Sequence, residues 1–286
     1  MRKWLLVTIV LLLALGSIYW FIPAQLKIVQ ITPVHCPSPA AYRAIAAKDS
    51  LGQARIVKKL LNTFEVQIGD IGSTINVLPL PNDSCALQWT SEMDAGASPI
   101  TRIKRYNQAV AIKKNMAAIL ADFKLWAEQI NNLYGIKLRE RTFGDTTLIA
   151  TKTNTAVYPG VNDIYSLINN LKQYSAGFQA KPTSHPLLNI TPLAKGGYQV
   201  MTAIPVDKPL PEQGAFFRRK IPLNKFLFVE VQGGDSTVQR SLRQLQLYIN
   251  DHRKTVMALP FLALVTDRSQ VPDTSEWITH IYLPVF

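Results

Sequence analysis

Two stretches of nine residues decide the fold: "YQVMTAIPV", Tyr198 to Val206, and "WITHIYLPV", Trp277 to Val285. Each opens on an aromatic residue, alternates, and closes on Pro-Val. Alternation with period two marks a strand that buries one face. The resemblance extends upstream. Before the first stretch lie the strand-like "TTLIATKT" (146–153), a helical run from Val161 to Ala176, and "LLNITPL" (187–193). Before the second lie "KFLFVEVQ" (225–232), a helical run from Thr237 to about His252, and "FLALVTD" (261–267). Ile164, Tyr165, Ile168 and Leu171 share one face of the first helix; Val238, Leu242, Leu245 and Ile249 share one face of the second. Ser236 and Gln239 have the spacing of a capping box at the second helix start. The sequence therefore predicts two copies of a strand-helix-strand-strand unit over 136–286. Neither copy can bury its helix stripe alone, so the two should pair about a pseudo-twofold axis and leave a groove between them.

Residues 23–135 read as a separate domain. "QLKIVQITPV" (25–34) is strand-like, and "PSPAAYRAIAAKDSLGQARIVKKLL" (37–61) reads as one or two short helices. The runs "FEVQIG", "STINVLPL" and "CALQWTSEM" follow as strands separated by Gly, Asn-Asp and Pro turn signals. A long amphipathic helix closes this part. Its stripe is Ile112, Met116, Ile119, Leu120, Phe123, Trp126 and Ile130, a core face, and Gly135 is its expected stop.

Residues 1–22 are of another kind. From Trp4 to Ile22 there are 19 residues without a charge, twelve of them Leu, Ile, Val or Phe, against the ~20 a helix needs to span the hydrocarbon core. Arg2 and Lys3 precede the run and Lys27 alone follows closely. Hydropathy and the positive-inside rule together predict an uncleaved transmembrane anchor over residues 4–22, with the N-terminus cytoplasmic and both domains extracytoplasmic, in the periplasm of a bacterium.

Composition bounds the function. Of 286 residues 48% are hydrophobic and 17% charged, with a formal net charge of +12, a globular balance. The basic residues are spread over both domains with no basic tail or run interleaved with aromatics, which argues against a nucleic-acid partner. His35, His185, His252 and His280 show no metal-ligand spacing, and no nucleophile elbow or phosphate-binding loop occurs in context, so no catalytic residue, metal or cofactor is assigned. Cys36 and Cys85 are the only cysteines; they read as two buried thiols, with a disulfide as the alternative in an oxidising compartment.

With these elements in place, two resemblances can be stated. Residues 26 to 135, through the order of elements and "CPSPAAYRAIA", resemble a shortened START-like (polyketide-cyclase) helix-grip domain. Residues 137 to 286, through the repeat, "PFLALVTDRSQVPDTSEWITHIYLPV" and "AIPVDKPLPEQGAFFRRKIPLNKFLFVEVQGG", resemble the GyrI-like effector-binding domains. The second resemblance implies an α+β fold with antiparallel sheet and a groove for small, often cationic, molecules. It also implies an acidic residue and an aromatic on the penultimate strand where this chain has Leu262 and Leu264, and Gly-Pro-Tyr where it has Gly233-Gly234-Asp235. Without that carboxylate the groove should prefer a neutral or apolar ligand, unless Glu230 replaces the charge. Tyr165, Glu230, Leu262, Leu264, Trp277 and Tyr282 are the expected lining. The leading expectation is ligand binding without catalysis. The alternatives are a hydrolase using His280 or Glu230, with Asp267 and Asp273 in the turn nearby, and an interaction scaffold with a closed groove. Oligomeric state is not legible.

Overall fold

The computed structural model describes residues 4, 8–10, 13, 16–17, 21–142, 146–221 and 225–285. The protein is α+β with antiparallel sheets, and two compact units meet in sequence between Leu133 and Tyr134. The transmembrane helix predicted over residues 4–22 requires correction. Spanning a bilayer takes ~20 consecutive helical residues, and among the described residues no helix is long and apolar enough to cross a membrane. Much of that segment lies outside the described residues. Hydropathy counts the composition of a run and not the length of helix it forms, so the single-pass topology and extracytoplasmic placement inferred from it fall with the anchor.

In the first unit, β1 (Gln25–Val34), α1 (Ser38–Ala46), β2 (Ser50–Leu51), β3 (Ala54–Leu60), β4 (Thr63–Ile68), β5 (Ile71–Leu80) and β6 (Ser84–Asp94) precede α2 (Pro99–Ala127). The strands form one antiparallel sheet in the order β1-β6-β5-β4-β3-β2. Trp89, Phe64, Ile75 and Leu87 from the sheet pack with Met116, Leu120 and Phe123 from α2 in one core. Burying each large apolar side chain is worth roughly 1.5–3 kcal/mol. The indole of buried Trp89 donates to Ser73 Oγ at 2.9 Å, and that hydroxyl donates to Val66 O at 3.3 Å, so the polar atoms taken into the core are partnered. Cys36 and Cys85 are buried in the same core and no disulfide joins them. A hydrogen bond from Cys36 holds the Cys85 thiol below its ordinary pKa, against the effect of burial.

Two elements differ from the sequence reading. Residues 50–60, predicted helical, form the β2–β3 hairpin around Gly52, whose φ of +56° suits the turn. The long helix begins at Pro99, where Ser98 Oγ accepts from Thr101 N at 3.2 Å, and ends at Ala127. Ile130 belongs to a separate short helix, α3 (Ile130–Tyr134), followed by Gly135 at φ +66°.

The second unit contains β7 (Leu138–Thr142), β8 (Thr146–Thr155), α4 (Val161–Gly177), β9 (Leu187–Pro192), β10 (Tyr198–Pro205) and β11 (Phe217–Ile221). These are followed by β12 (Lys225–Gln232), α5 (Asp235–Asp251), β13 (Phe261–Leu264) and β14 (Ile278–Pro284). The sheet order is β11-β8-β10-β9-β13-β14-β12-β7. Read from its centre outward, the order is the same on both sides: β9, β10, β8, β11 on one, β13, β14, β12, β7 on the other. This is a pseudo-twofold axis between β9 and β13. Register confirms it residue by residue. Val200 pairs with Thr153 and Ile190, and Thr279 pairs with Val231 and Leu264. Both are fully buried, with exposures of 1% and 0%. Each helix has 17 residues and a glycine at its N-cap, Gly160 or Gly234. The capping box read at Ser236 and Gln239 is therefore not formed, because α5 starts before Ser236.

Alternation separates two faces. Ile149, Leu188, Val200, Ile204 and Leu264 pack with Ile164, Ile168 and Leu171 of α4. Leu148, Ala150, Leu187, Ala203, Phe226, Phe228, Ala263 and Tyr282 form a separate cluster on the opposite face.

Candidate functional site

The sheet face away from the helices holds an apolar pocket of about 340 Å³, within the range of small-molecule sites. Leu148 and Ala150 of β8, Leu187 and Asn189 of β9, and Met201 and Ala203 of β10 line one side. Phe226, Phe261 and Pro284 come from the other half, Met257 to Leu259 close one end, and Arg219 with Lys220 of β11 stand at the rim.

The pseudo-twofold axis explains why the pocket lies off centre. From the strand registers, Ala150 corresponds to Phe228, Ala203 to Tyr282, Leu187 to Phe261 and Leu148 to Phe226. In the second half the aromatic rings fill the space. Tyr282 stacks on Phe261 with centroids 5.3 Å apart, and lies 5.2 Å from Phe228. In the first half the two alanines leave that volume open. The cavity is thus the difference between two copies of one unit, created by Ala150 and Ala203.

The predicted lining residues divide by face. Glu230 and Tyr282 lie on the pocket side of the sheet, as alternation against Val229 and Val231 requires. Glu230 Oε2 is 3.1 Å from His280 Nε2. Burial, with His185 and Arg141, lowers the His280 pKa despite the opposing effect of Glu230, so the ring is mainly neutral at pH 7 and the contact is a hydrogen bond more than an ion pair. Burial also raises the Tyr282 pKa, opposed by Arg141. The remaining four lie outside this pocket: Tyr165 and Leu264 line a separate cavity of about 130 Å³, Leu262 lines another of about 160 Å³, and Trp277 lines neither. Leu264 is buried in the core beneath α4 and Leu262 packs against that core, so the pocket-side residues of β13 are Phe261 and Ala263. Tyr165, on α4, accepts from Arg268 N at 2.8 Å and donates to Thr266 O at 3.1 Å, tying down the loop after β13. Trp277 donates from Nε1 to Val271 O at 2.8 Å and carries the Arg268 guanidinium 4.6 Å over its ring. That guanidinium is buried, bound to Asp235 at 2.9 Å and Thr279 at 2.8 Å. Tyr165 and Trp277 therefore brace the far side of the sheet.

Asp267 and Asp273, noted as possible partners in chemistry, cap turns. Asp267 Oδ1 accepts from Ser269 N and Oγ, and Asp273 Oδ1 accepts from Ser275 N. The hydrogen bond from Ser275 N holds the Asp273 carboxyl below its ordinary pKa. Among the described residues no group of three or more His, Cys, Asp or Glu side chains has the geometry to hold a metal ion.

Neither a family model nor a curated protein matches the chain. Solved structures do resemble it. The EcmrR C-terminal domain is 15% identical, with a TM-score of 0.46, over 53% of this chain and 98% of that one. SAV2435 bound to tetraphenylphosphonium is 17% identical, with a TM-score of 0.34, over 53% of this chain and 94% of that one. A hydrolase from Listeria innocua is 8% identical, with a TM-score of 0.41, over 52% of this chain and 92% of that one.

Proposed function

We propose that the second unit is a GyrI-like domain that binds a small molecule in the pocket made by Ala150 and Ala203 and does not turn it over. The observation carrying this reading is the broken pseudo-symmetry: aromatic rings close one half of the face, and alanines at the matching positions keep the other open. The apolar lining favours a ligand with a substantial neutral or hydrocarbon part. The first unit is read as a shortened helix-grip domain whose interior is filled by its own Trp89, Phe64 and Met116.

Binding is favoured over hydrolysis by position. Glu230 and His280 form the nearest thing to an acid-base pair on this face, yet neither lines the pocket. A reacting group held against Ala150 and Ala203 would not rest on them. Native mass spectrometry of the purified full chain against a library of neutral aromatic and aliphatic compounds tests the reading. Adducts should form with the wild type and disappear in Ala203→Trp, which fills the cavity. A library that leaves the wild type unmodified, or adducts indifferent to the indole, would contradict it.

A further inference from the structure

We infer that the ligand of this pocket is an amphipathic anion: an apolar body carrying a single carboxylate, sulfonate or phosphate group. The inference rests on the pocket being a ligand site and adds the sign of the charge. Strand register places Arg219 of β11 opposite Leu148, and Arg141 of β7 opposite Phe226. Since Leu148 and Phe226 are themselves equivalent, the two arginines are pseudo-twofold mates on the two edge strands. The pocket side of the sheet therefore has a guanidinium at each margin. Arg139, opposite Phe228, shares the face of Arg141, and Lys152 adds a positive charge beside Arg219, with Lys152 and Arg219 lying over the Phe217 ring at 6.0 and 5.2 Å.

Negative charge does not balance them. Among the described residues the carboxylate on this face is Glu230, and it is engaged by His280. Glu140 lies on the other face of β7 and pairs with Lys254, and Glu212 pairs with Arg218. The two margins differ in what they can reach. Arg141 is spent on its own half, its guanidinium 3.9 Å over the Phe228 ring that fills the volume there. Arg219 stands at the rim of the open half, and among the described residues no carboxylate is within ion-pair distance of it. A bare inorganic anion would leave the apolar walls unused. A pure hydrocarbon would leave Arg219 unused. A molecule with both parts matches the whole site, since a guanidinium forms two parallel hydrogen bonds to a carboxylate, sulfonate or phosphate.

The test compares 1-anilinonaphthalene-8-sulfonate with N-phenyl-1-naphthylamine, which shares the aromatic body and lacks the sulfonate, and with tetraphenylphosphonium as the cation. Each is titrated by fluorescence or calorimetry into the full chain. The sulfonate should bind about tenfold more tightly than the neutral amine. Arg219→Gln should remove that preference and leave the amine unchanged, while Arg141→Gln should retain most of it. Equal affinities for sulfonate and amine, stronger binding of the cation, or a preference that survives Arg219→Gln would overturn the anion inference and leave the pocket standing. If neither naphthalene probe binds, or if both bind Ala203→Trp as they bind the wild type, the pocket reading fails and the inference fails with it.

Discussion

Glu230 and His280 show how a single contact is decided by burial. The imidazole sits over Phe228 with centroids 4.9 Å apart and is largely shielded from water, while the carboxylate is mostly exposed. Desolvation of the charged ring is the largest influence, and with Arg141 and His185 it depresses the His280 pKa against the pull of the Glu230 carboxylate. From the packed elements Arg141 and His185 lower that pKa and Glu230 raises it. A folded-state pKa below the unfolded value means that the native state binds fewer protons. The His280 contribution therefore favours folding above the unfolded value of about 6.5 and is lost progressively as pH falls below it. In an NMR titration the His280 ring proton should report a midpoint under that of a free histidine, and Glu230→Gln should move it further down. A midpoint above the free value would refute this. The face that Glu230 takes was legible at this scale, because Val229 and Val231 flank it with clean alternation, but the pocket lining does not reach it. Leu262 and Leu264 were not: "FLAL" is apolar on both faces, so period two gives no sign of which pair faces the pocket.

The elements show where local chemistry was readable and where tertiary context overrode it. The two helices followed from 3.6 periodicity because each packs one face and exposes the other, whereas β10 and β14 kept a readable alternation although both of their faces are largely buried. The β2–β3 hairpin did not, since β3 is exposed along most of its length and carries Lys58 and Lys59 in a run with fair helix propensity. Its pairing with β4 holds it as strand. The β9–β10 turn holds two adjacent glycines with different surroundings. Gly197 has φ +80°, and a Cβ there would lie 2.4 Å from Thr155 O, a backbone atom that cannot yield without disturbing β8. Gly196 has φ +90° and open space around it. A left-handed conformation alone costs a non-glycine residue ~1–2 kcal/mol. Gly196→Ala should lose about that much in denaturant melts, and Gly197→Ala clearly more, by at least ~1 kcal/mol, as the steric clash adds to the backbone strain. Equal losses would mean the turn relaxes freely and does not fix the β9–β10 register.

At the scale of the whole second unit, function follows from a departure from symmetry. The duplication was legible from the paired Pro-Val strands, and the sheet order repeats outward from its centre as that duplication requires. The pocket was not legible, because Ala150 and Ala203 are unremarkable residues until they are set against Phe228 and Tyr282 through the strand registers. The anchor over residues 4–22 shows the opposite failure, a strong compositional signal unsupported by a membrane-spanning helix among the described residues. The most direct measurement is an NMR titration of the protein labelled at alanine methyl groups with N-phenyl-1-naphthylamine. The methyls of Ala150 and Ala203 should shift together with one binding curve, while those of Ala41 and Ala127, in the core of the first unit, stay fixed. Saturable binding that leaves Ala150 and Ala203 unmoved would contradict the account.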